Sequence, residues 1–324
     1  MNIFSLIKKI IRHYIGIING PLQQITESGA LLTATVLANQ NRARQRLKGL
    51  HEAEFSVYSQ WGEDGIISWL IDCLPDIPHT FIEFGVENYQ ESNTRLLLRM
   101  RNWRGLVIDG SKRNIEDIKK QGIYWRHDLT AICAFIDRDN INNLIESADL
   151  SSEVGLLSVD IDGNDFWVWQ SIEVVSPVIV VCEYNAVLGD IYPISIPYQA
   201  SFQRTNADPS NLYFGASIRA LILLGQSKGY TFVGTTSTGA NAFFVRNDRV
   251  SEIISLLDGI YGFPSKFREA RDKDGNLIYL NGASRREVIK NLPFVDPISL
   301  DCVDLSKLNS IYSIPWLDGE GCKF

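Results

Sequence analysis

From about residue 64 the chain alternates short apolar runs with stretches of helical spacing, the pattern of a parallel sheet covered by helices. The predicted strands are Thr80–Phe84 (TFIEF), Gly105–Asp109 (GLVID), Ile123–Arg126, Gly155–Asp160 (GLLSVD) and Val178–Glu183 (VIVVCE). Helical spacing falls between and after them, at Asn93–Met100, Asn114–Gln121, Asn140–Ser147 and Phe166–Ile172. A loop-rich stretch follows, and then a helix over Phe214–Gly229 that ends on a glycine. Tyr230–Thr235 and Asn241–Val245 read as a hairpin closed over Ser237–Gly239. Five strand–helix units, a helix and a hairpin predict a Rossmann-like, doubly wound α/β domain with seven strands. Ligands of such sheets bind at the carboxyl ends of the strands, so the chemistry is expected there.

Residues 1–54 read as a helical extension, 55–250 as the α/β domain and 251–324 as an extension packed on it. Trp316 and the aromatic tail belong to that packing or to the wall of a substrate pocket. Within the first segment, Ile3, Ile7, Ile10, Tyr14 and Ile17 recur at helical spacing, interrupted by Lys8, Lys9, Arg12 and His13. A cleaved leader would carry its charges ahead of the apolar core, so an uncleaved amphipathic helix is expected. Such a helix packs on the body, on a second subunit in a homo-oligomer, or on an anionic membrane surface, and the sequence leaves these open. A second helix is expected over Leu31–Leu50, with Arg42, Arg44, Arg46 and Lys48 on its solvated face.

Composition narrows the function classes. A formal net charge of −7 over 324 residues argues against nucleic acid as a partner, which needs a basic surface. No apolar stretch reaches the length of a membrane span. Cysteines 73, 133, 182, 302 and 322 stand far apart, without the spacing of a zinc site or a disulfide framework, which points to a reducing cytoplasm.

The strand ends carry the chemistry. Glu83–Phe84–Gly85 closes the first strand, where a glycine lets the backbone approach a ligand and the next helix N-terminus favours a carboxylate. Asp109 closes the second, as an acceptor for both hydroxyls of a ribose or as a turn aspartate. The fourth ends in Asp160, Asp162, Asn164 and Asp165, and the fifth adds Glu183 and Asn185. Carboxylates crowded in this way call for a cation or a catalytic duty. Asp160 and Asp162 would share a face if the strand continues, and Asp165 is placed as the N-cap of the helix from Phe166.

Four segments in order resemble the FkbM-type methyltransferases: YSQWGED over Tyr58–Asp64, FIEFG over Phe81–Gly85 with ESNT over Glu91–Thr94, WRGLVID over Trp103–Asp109, and VDIDG over Val159–Gly163. The resemblance covers about 55–250; Asn164–Asp165 and the stretch 183–245 depart from the family's pattern and mark a divergent subgroup. It implies a class I methyltransferase sheet and methyl transfer from S-adenosylmethionine to a hydroxyl, commonly on a sugar or natural product. Glu83, Gly85, Asn93, Asp109 and Asp160 are then expected to bind the cofactor. Asp128 sits where related enzymes hold the adenine amino group, with helix capping as its alternative.

The expected acceptor is a small molecule or glycan, through a hydroxyl of a carbohydrate or nucleotide-linked sugar, with Asp160 and Asp162 as the catalytic pair. Asp160 acts as general base, or Asp160, Asp162, Glu183 and Asn185 hold a divalent cation, with magnesium the default for oxygen ligands. A rival reading takes Asp160-x-Asp162 as the DxD of a nucleotide-sugar glycosyltransferase. The acid after the second strand counts against it.

Overall fold

The computed structural model describes residues 25–324. Its centre is a seven-stranded sheet made of β1 (Thr80–Phe84), β2 (Arg104–Asp109), β3 (Leu129–Cys133), β4 (Glu153–Val159), β5 (Ser176–Glu183), β6 (Tyr230–Thr235) and β7 (Asn241–Arg246). The spatial order is β3-β2-β1-β4-β5-β7-β6; the first five strands run parallel, and β7 pairs antiparallel with both β5 and β6. This is the Rossmann-like α/β sheet expected of a class I methyltransferase. The order reverses between β1 and β4, and that switch point opens a crevice at the carboxyl ends.

Two-residue periodicity explains why the sheet is covered on both sides. Phe81, Val107, Leu156, Val181 and Phe243 enter one core, while their neighbours Ile82, Ile108, Leu157, Val180 and Phe244 enter the other. The first core is capped by α2 (Glu63–Cys73), α3 (Arg95–Arg101) and α4 (Lys112–Lys120), through residues such as Ile66, Leu70, Leu97 and Ile118. The second is capped by α6 (Ile141–Glu146), α7 (Asp165–Ser171) and α8 (Ile218–Ser227), through Ile145, Phe166, Trp169 and Leu221.

Two sequence expectations are corrected here. The segment Ile123–Arg126 is not a strand: α5 covers Gly122–Arg126, and β3 begins at Leu129. Ile123 is buried while Trp125 is exposed, so one helical turn hides the aliphatic side chain and leaves the aromatic out. β3 lies at the edge of the sheet and is only partly buried, which is why Leu-Thr-Ala-Ile-Cys lacks the apolar density of the central strands. The helix expected over Leu31–Leu50 spans 25–42 and serves as α1 here. At its last residue Arg42 pairs with Asp72 at 2.8 Å, and beyond the helix Arg46 pairs with Asp258 at 3.0 Å.

The amphipathic stretch at residues 3–18 lies outside the described residues. Among the described residues no helix is long and apolar enough to cross a membrane. All five cysteines are free, and burial pushes the Cys182 thiol well above its usual range. The C-terminal segment packs back on the sheet end: Trp316 Nε1 donates to Ala186 O at 3.3 Å and the Tyr312 hydroxyl to Val187 O at 2.7 Å.

Candidate functional site

Two cavities share a wall at the carboxyl end of β1 and β4. The smaller, about 210 Å³, is lined by Asp109, Gly110, Phe135 and Ile136 as well as by Gly85 and Asp160. The larger, about 550 Å³, runs from Gly85 and Asp160 to Glu183 and out to Trp61 and Phe267. Gly85, Glu87, Asp160 and Asp162 border both.

Gly85 has φ +72°, and a Cβ there would sit 1.7 Å from the carbonyl oxygen of Asp160. Only glycine lets β1 and β4 turn away so close together. Glu83, two residues earlier on β1, is buried and clasps the chain ahead of α3. It accepts from Ser92 Oγ at 2.6 Å and from the backbone N–H groups of Asn93 at 2.8 Å and Thr94 at 3.1 Å. Burial raises its carboxyl above the ordinary glutamate range, and these donors oppose the rise. The backbone N–H groups just ahead of α3 are thus taken by the protein's own Glu83. Asn93 Nδ2 donates across to Ser158 Oγ on β4 at 3.1 Å, and both Glu83 and Asn93 border the larger cavity.

Asp109 stands at the end of β2 on the floor of the smaller cavity. Its Oδ1 accepts from Ser111 N at 2.7 Å and Asn114 Nδ2 at 3.1 Å, which fixes the carboxylate in place. Asp128 is a different case. It immediately precedes β3, so it sits at the amino edge of the sheet, opposite the cavities, exposed and 3.4 Å from Arg104. The shift of the third strand moves the true strand end to Cys133, and Phe135 and Ile136 reach the smaller cavity in its stead.

The acidic cluster is rearranged relative to its sequence reading. β4 ends at Val159, and Asp162 takes φ +56°, so Asp160 and Asp162 do not share a face. Asp162 is exposed and pairs with Arg204 at 2.8 Å. Asn185 is buried and satisfied by the fold: its Nδ2 donates to Leu212 O and Phe214 O, both at 2.9 Å, and its Oδ1 accepts from Val187 N at 3.0 Å. Neither belongs to the inner group. Asp165 does, and it is not an N-cap: α7 begins on it, and its two oxygens accept from Ile161 N at 2.8 Å and Gly163 N at 2.9 Å.

Asp160, Asp165 and Glu183 each offer an oxygen within 4.8 Å of the others. Burial, reinforced by neighbouring carboxylates, pushes Asp160 and Glu183 well above the usual carboxylate range and Asp165 up to about 6. Glu183 Oε2 is enclosed and has no hydrogen-bond partner. An all-oxygen set with an unanswered acceptor suits a hard divalent cation.

No family model and no curated protein matches the chain. Solved structures are similar at the level of fold. The N-terminal domain of EvdMO1 with SAH bound shares 9% identity, over 55% of this chain and 77% of that one, with a TM-score of 0.36. The plantazolicin methyltransferase BamL, in complex with a triazolic desmethylPZN analog and SAH, shares 14% over 52% and 77%, with a TM-score of 0.34. An S-adenosylmethionine-dependent methyltransferase from Clostridium acetobutylicum ATCC 824 shares 9% over 60% and 94%, with a TM-score of 0.36. Likeness this distant carries no argument about chemistry, which rests on the site itself.

Several lining groups escape a reading confined to strand ends. Arg204 stacks 3.7 Å over the Phe214 ring, pairs with Asp162, and reaches Glu269 of the C-terminal segment at 3.1 Å. Trp61 lies within the YSQWGED segment, and its indole meets Phe267 with centroids 4.6 Å apart. The C-terminal residues had no periodic or motif signal to mark them. Trp61 is carried by a segment that the sequence does mark, Tyr58–Asp64.

Proposed function

We propose that the protein is an S-adenosylmethionine-dependent O-methyltransferase whose acceptor is a carbohydrate hydroxyl. The observation that carries the reading is the pair of joined cavities at the switch point, with a fixed acid at the end of β2 in one and a cluster of carboxylates in the other. S-adenosylmethionine, when bound, supplies an electrophilic methyl group. Asp109 would hold its ribose hydroxyls, Phe135 and Ile136 would flank its base, and the Gly85 turn would let the backbone approach its middle. The larger cavity then receives the acceptor across the shared wall, so that the two reactants meet beside Asp160.

The acceptor hydroxyl must lose a proton. Asp160 borders both cavities, where its carboxylate can accept that proton. A magnesium ion, when bound, would acidify the hydroxyl directly, and Asp160, Asp165 and Glu183 are the residues that would hold it. The glycosyltransferase alternative needs Asp160 and Asp162 to grip one metal; an Asp162 turned outward onto Arg204 speaks against it. Calorimetry of the full chain with S-adenosylhomocysteine and with UDP-glucose tests the choice. Binding of the nucleoside thioether, weakened in Asp109→Ala, is expected; UDP-glucose binding without any S-adenosylhomocysteine binding would overturn it.

A further inference from the structure

The larger cavity has a roof that neither the strand ends nor the sequence motifs account for. Trp61 and Phe267 meet at its outer wall, with ring centroids 4.6 Å apart and planes inclined by 42°. Trp61 remains 38% exposed, so much of its indole faces open space. Both rings are held from behind. Trp61 N donates to Glu63 Oε2 at 2.9 Å, and Asn241 Nδ2 donates to Glu63 Oε1 at 2.8 Å, which ties the Trp61 backbone to the start of β7. On the other side, the buried Arg285 guanidinium donates to Ser265 O at 2.7 Å and Phe267 O at 3.2 Å. Fixed aromatic surface at the mouth of a polar cavity is the usual means of seating a ring.

The charge on the walls restricts what that ring carries. Carboxylates outnumber guanidinium groups around the cavity, and the arginines are Arg204, Arg268 and Arg285. Arg204 is committed to Asp162, Glu269 and Asn211 O, and Arg285 to the backbone and hydroxyl groups of the roof. Arg268, at the rim, donates to Tyr279 O at 3.0 Å and lies over the Tyr279 ring. Even with a divalent cation held by Asp160, Asp165 and Glu183, a phosphate or carboxylate on the acceptor would face more carboxylates than cationic groups along these walls.

We propose that Trp61 and Phe267 are the acceptor platform, and that they seat an uncharged sugar ring lacking phosphate and carboxylate, to the exclusion of nucleotide-linked sugars and uronic acids. The proposal rests on the methyltransferase reading above. It assigns specificity to two residues from opposite ends of the chain and to the sign of the cavity's charge.

The test uses the full chain saturated with S-adenosylhomocysteine, confirmed by calorimetry before any sugar is added. Methyl glycosides of glucose, mannose, galactose, rhamnose and N-acetylglucosamine are titrated against UDP-glucose and glucuronate, by saturation-transfer NMR and tryptophan fluorescence. At least one neutral glycoside is expected to bind and to change the fluorescence, with both anions weaker. Trp61→Ala and Phe267→Ala should each weaken it by roughly 2- to 10-fold, as loss of one ring contact implies, and Trp61→Phe should restore most of the affinity. Thermal melting and cofactor affinity should not change. Tighter binding of UDP-glucose or glucuronate, no binding by any neutral glycoside, or wild-type affinity in both alanine variants would overturn the proposal. Failure to bind S-adenosylhomocysteine at the outset would instead defeat the methyltransferase reading.

Discussion

A Cβ on Gly85 would lie 1.7 Å from the carbonyl oxygen of Asp160, so the end of β1 and the start of the acidic loop are fitted to each other through a missing side chain. The backbone there has φ +72°, a conformation that itself disfavours any L side chain. Gly85→Ala is therefore expected to destabilise the protein by at least roughly 1–3 kcal/mol from backbone strain, with the clash added. Cofactor affinity should fall too, because Asp160 borders both cavities. Urea unfolding and calorimetry check the two effects; wild-type values in both would remove the close approach from the account.

Asp109 gives a cleaner separation of binding from folding. Its Oδ1 holds Ser111 N and Asn114 Nδ2 in a turn, and the carboxylate edges the smaller cavity. Asp109→Ala should weaken S-adenosylhomocysteine binding by roughly 1.5–3 kcal/mol per lost charged hydrogen bond. The sheet should persist, since the residue lies at a strand end. Unchanged affinity by calorimetry would mean that the ribose is held elsewhere.

Asp64, away from both cavities, sets a pH dependence of folding. Its Oδ2 accepts from the N–H groups of Val57 and Tyr58, both at 2.7 Å, and of Ser59 at 2.9 Å, while Oδ1 is buried without a partner. Burial dominates those bonds and raises its pKa from 3.8 to about 6. A raised acid binds more protons folded than unfolded, so its share of stability is present below pH 3.8 and is lost as pH rises to about 6. The loss amounts to as much as about 3 kcal/mol for a shift of this size. Asp64→Asn should flatten the stability curve between those pH values relative to wild type. A wild-type slope in the variant, by urea unfolding at each pH, would show that the group titrates normally.

The fold was legible because its signals are local. β1, β2, β4 and β5 announce themselves as dense apolar runs, and the order of strand and helix forces the switch point. β3 was missed where edge burial is partial and an aromatic-rich helical turn, Gly122–Arg126, imitates a strand; that one shift sent Asp128 to the wrong end of the sheet. The carboxylates of the site were visible, but their partners were not. Which of Asp160, Asp162, Asp165, Glu183 and Asn185 gather depends on a left-handed residue at Asp162 and on two backbone donors that draw Asp165 inward. Neither leaves a periodic trace. Arg204 and Phe267 reach the site through tertiary packing alone.

That regrouping makes the last prediction discriminating. The sequence set for a cation was Asp160, Asp162, Glu183 and Asn185, whereas the geometry gathers Asp160, Asp165 and Glu183. Crowded anions without a cation must repel or take up protons; a bound cation relieves both, and so stabilises the folded state over the unfolded one. Magnesium at about 100 times its dissociation constant should add roughly 2.7 kcal/mol, read as a higher melting temperature that EDTA reverses. Asp160→Asn and Glu183→Gln should abolish this response. Asp162→Asn should retain it, because Asp162 points to Arg204 rather than into the group. In turnover, chelation should stop methyl transfer while leaving S-adenosylhomocysteine affinity almost intact, and Asp160→Asn should be inactive with or without metal. Full activity in excess EDTA, with no magnesium-dependent shift in melting, would discard the cation and leave Asp160 as the base. Wild-type turnover by Asp160→Asn would defeat both versions.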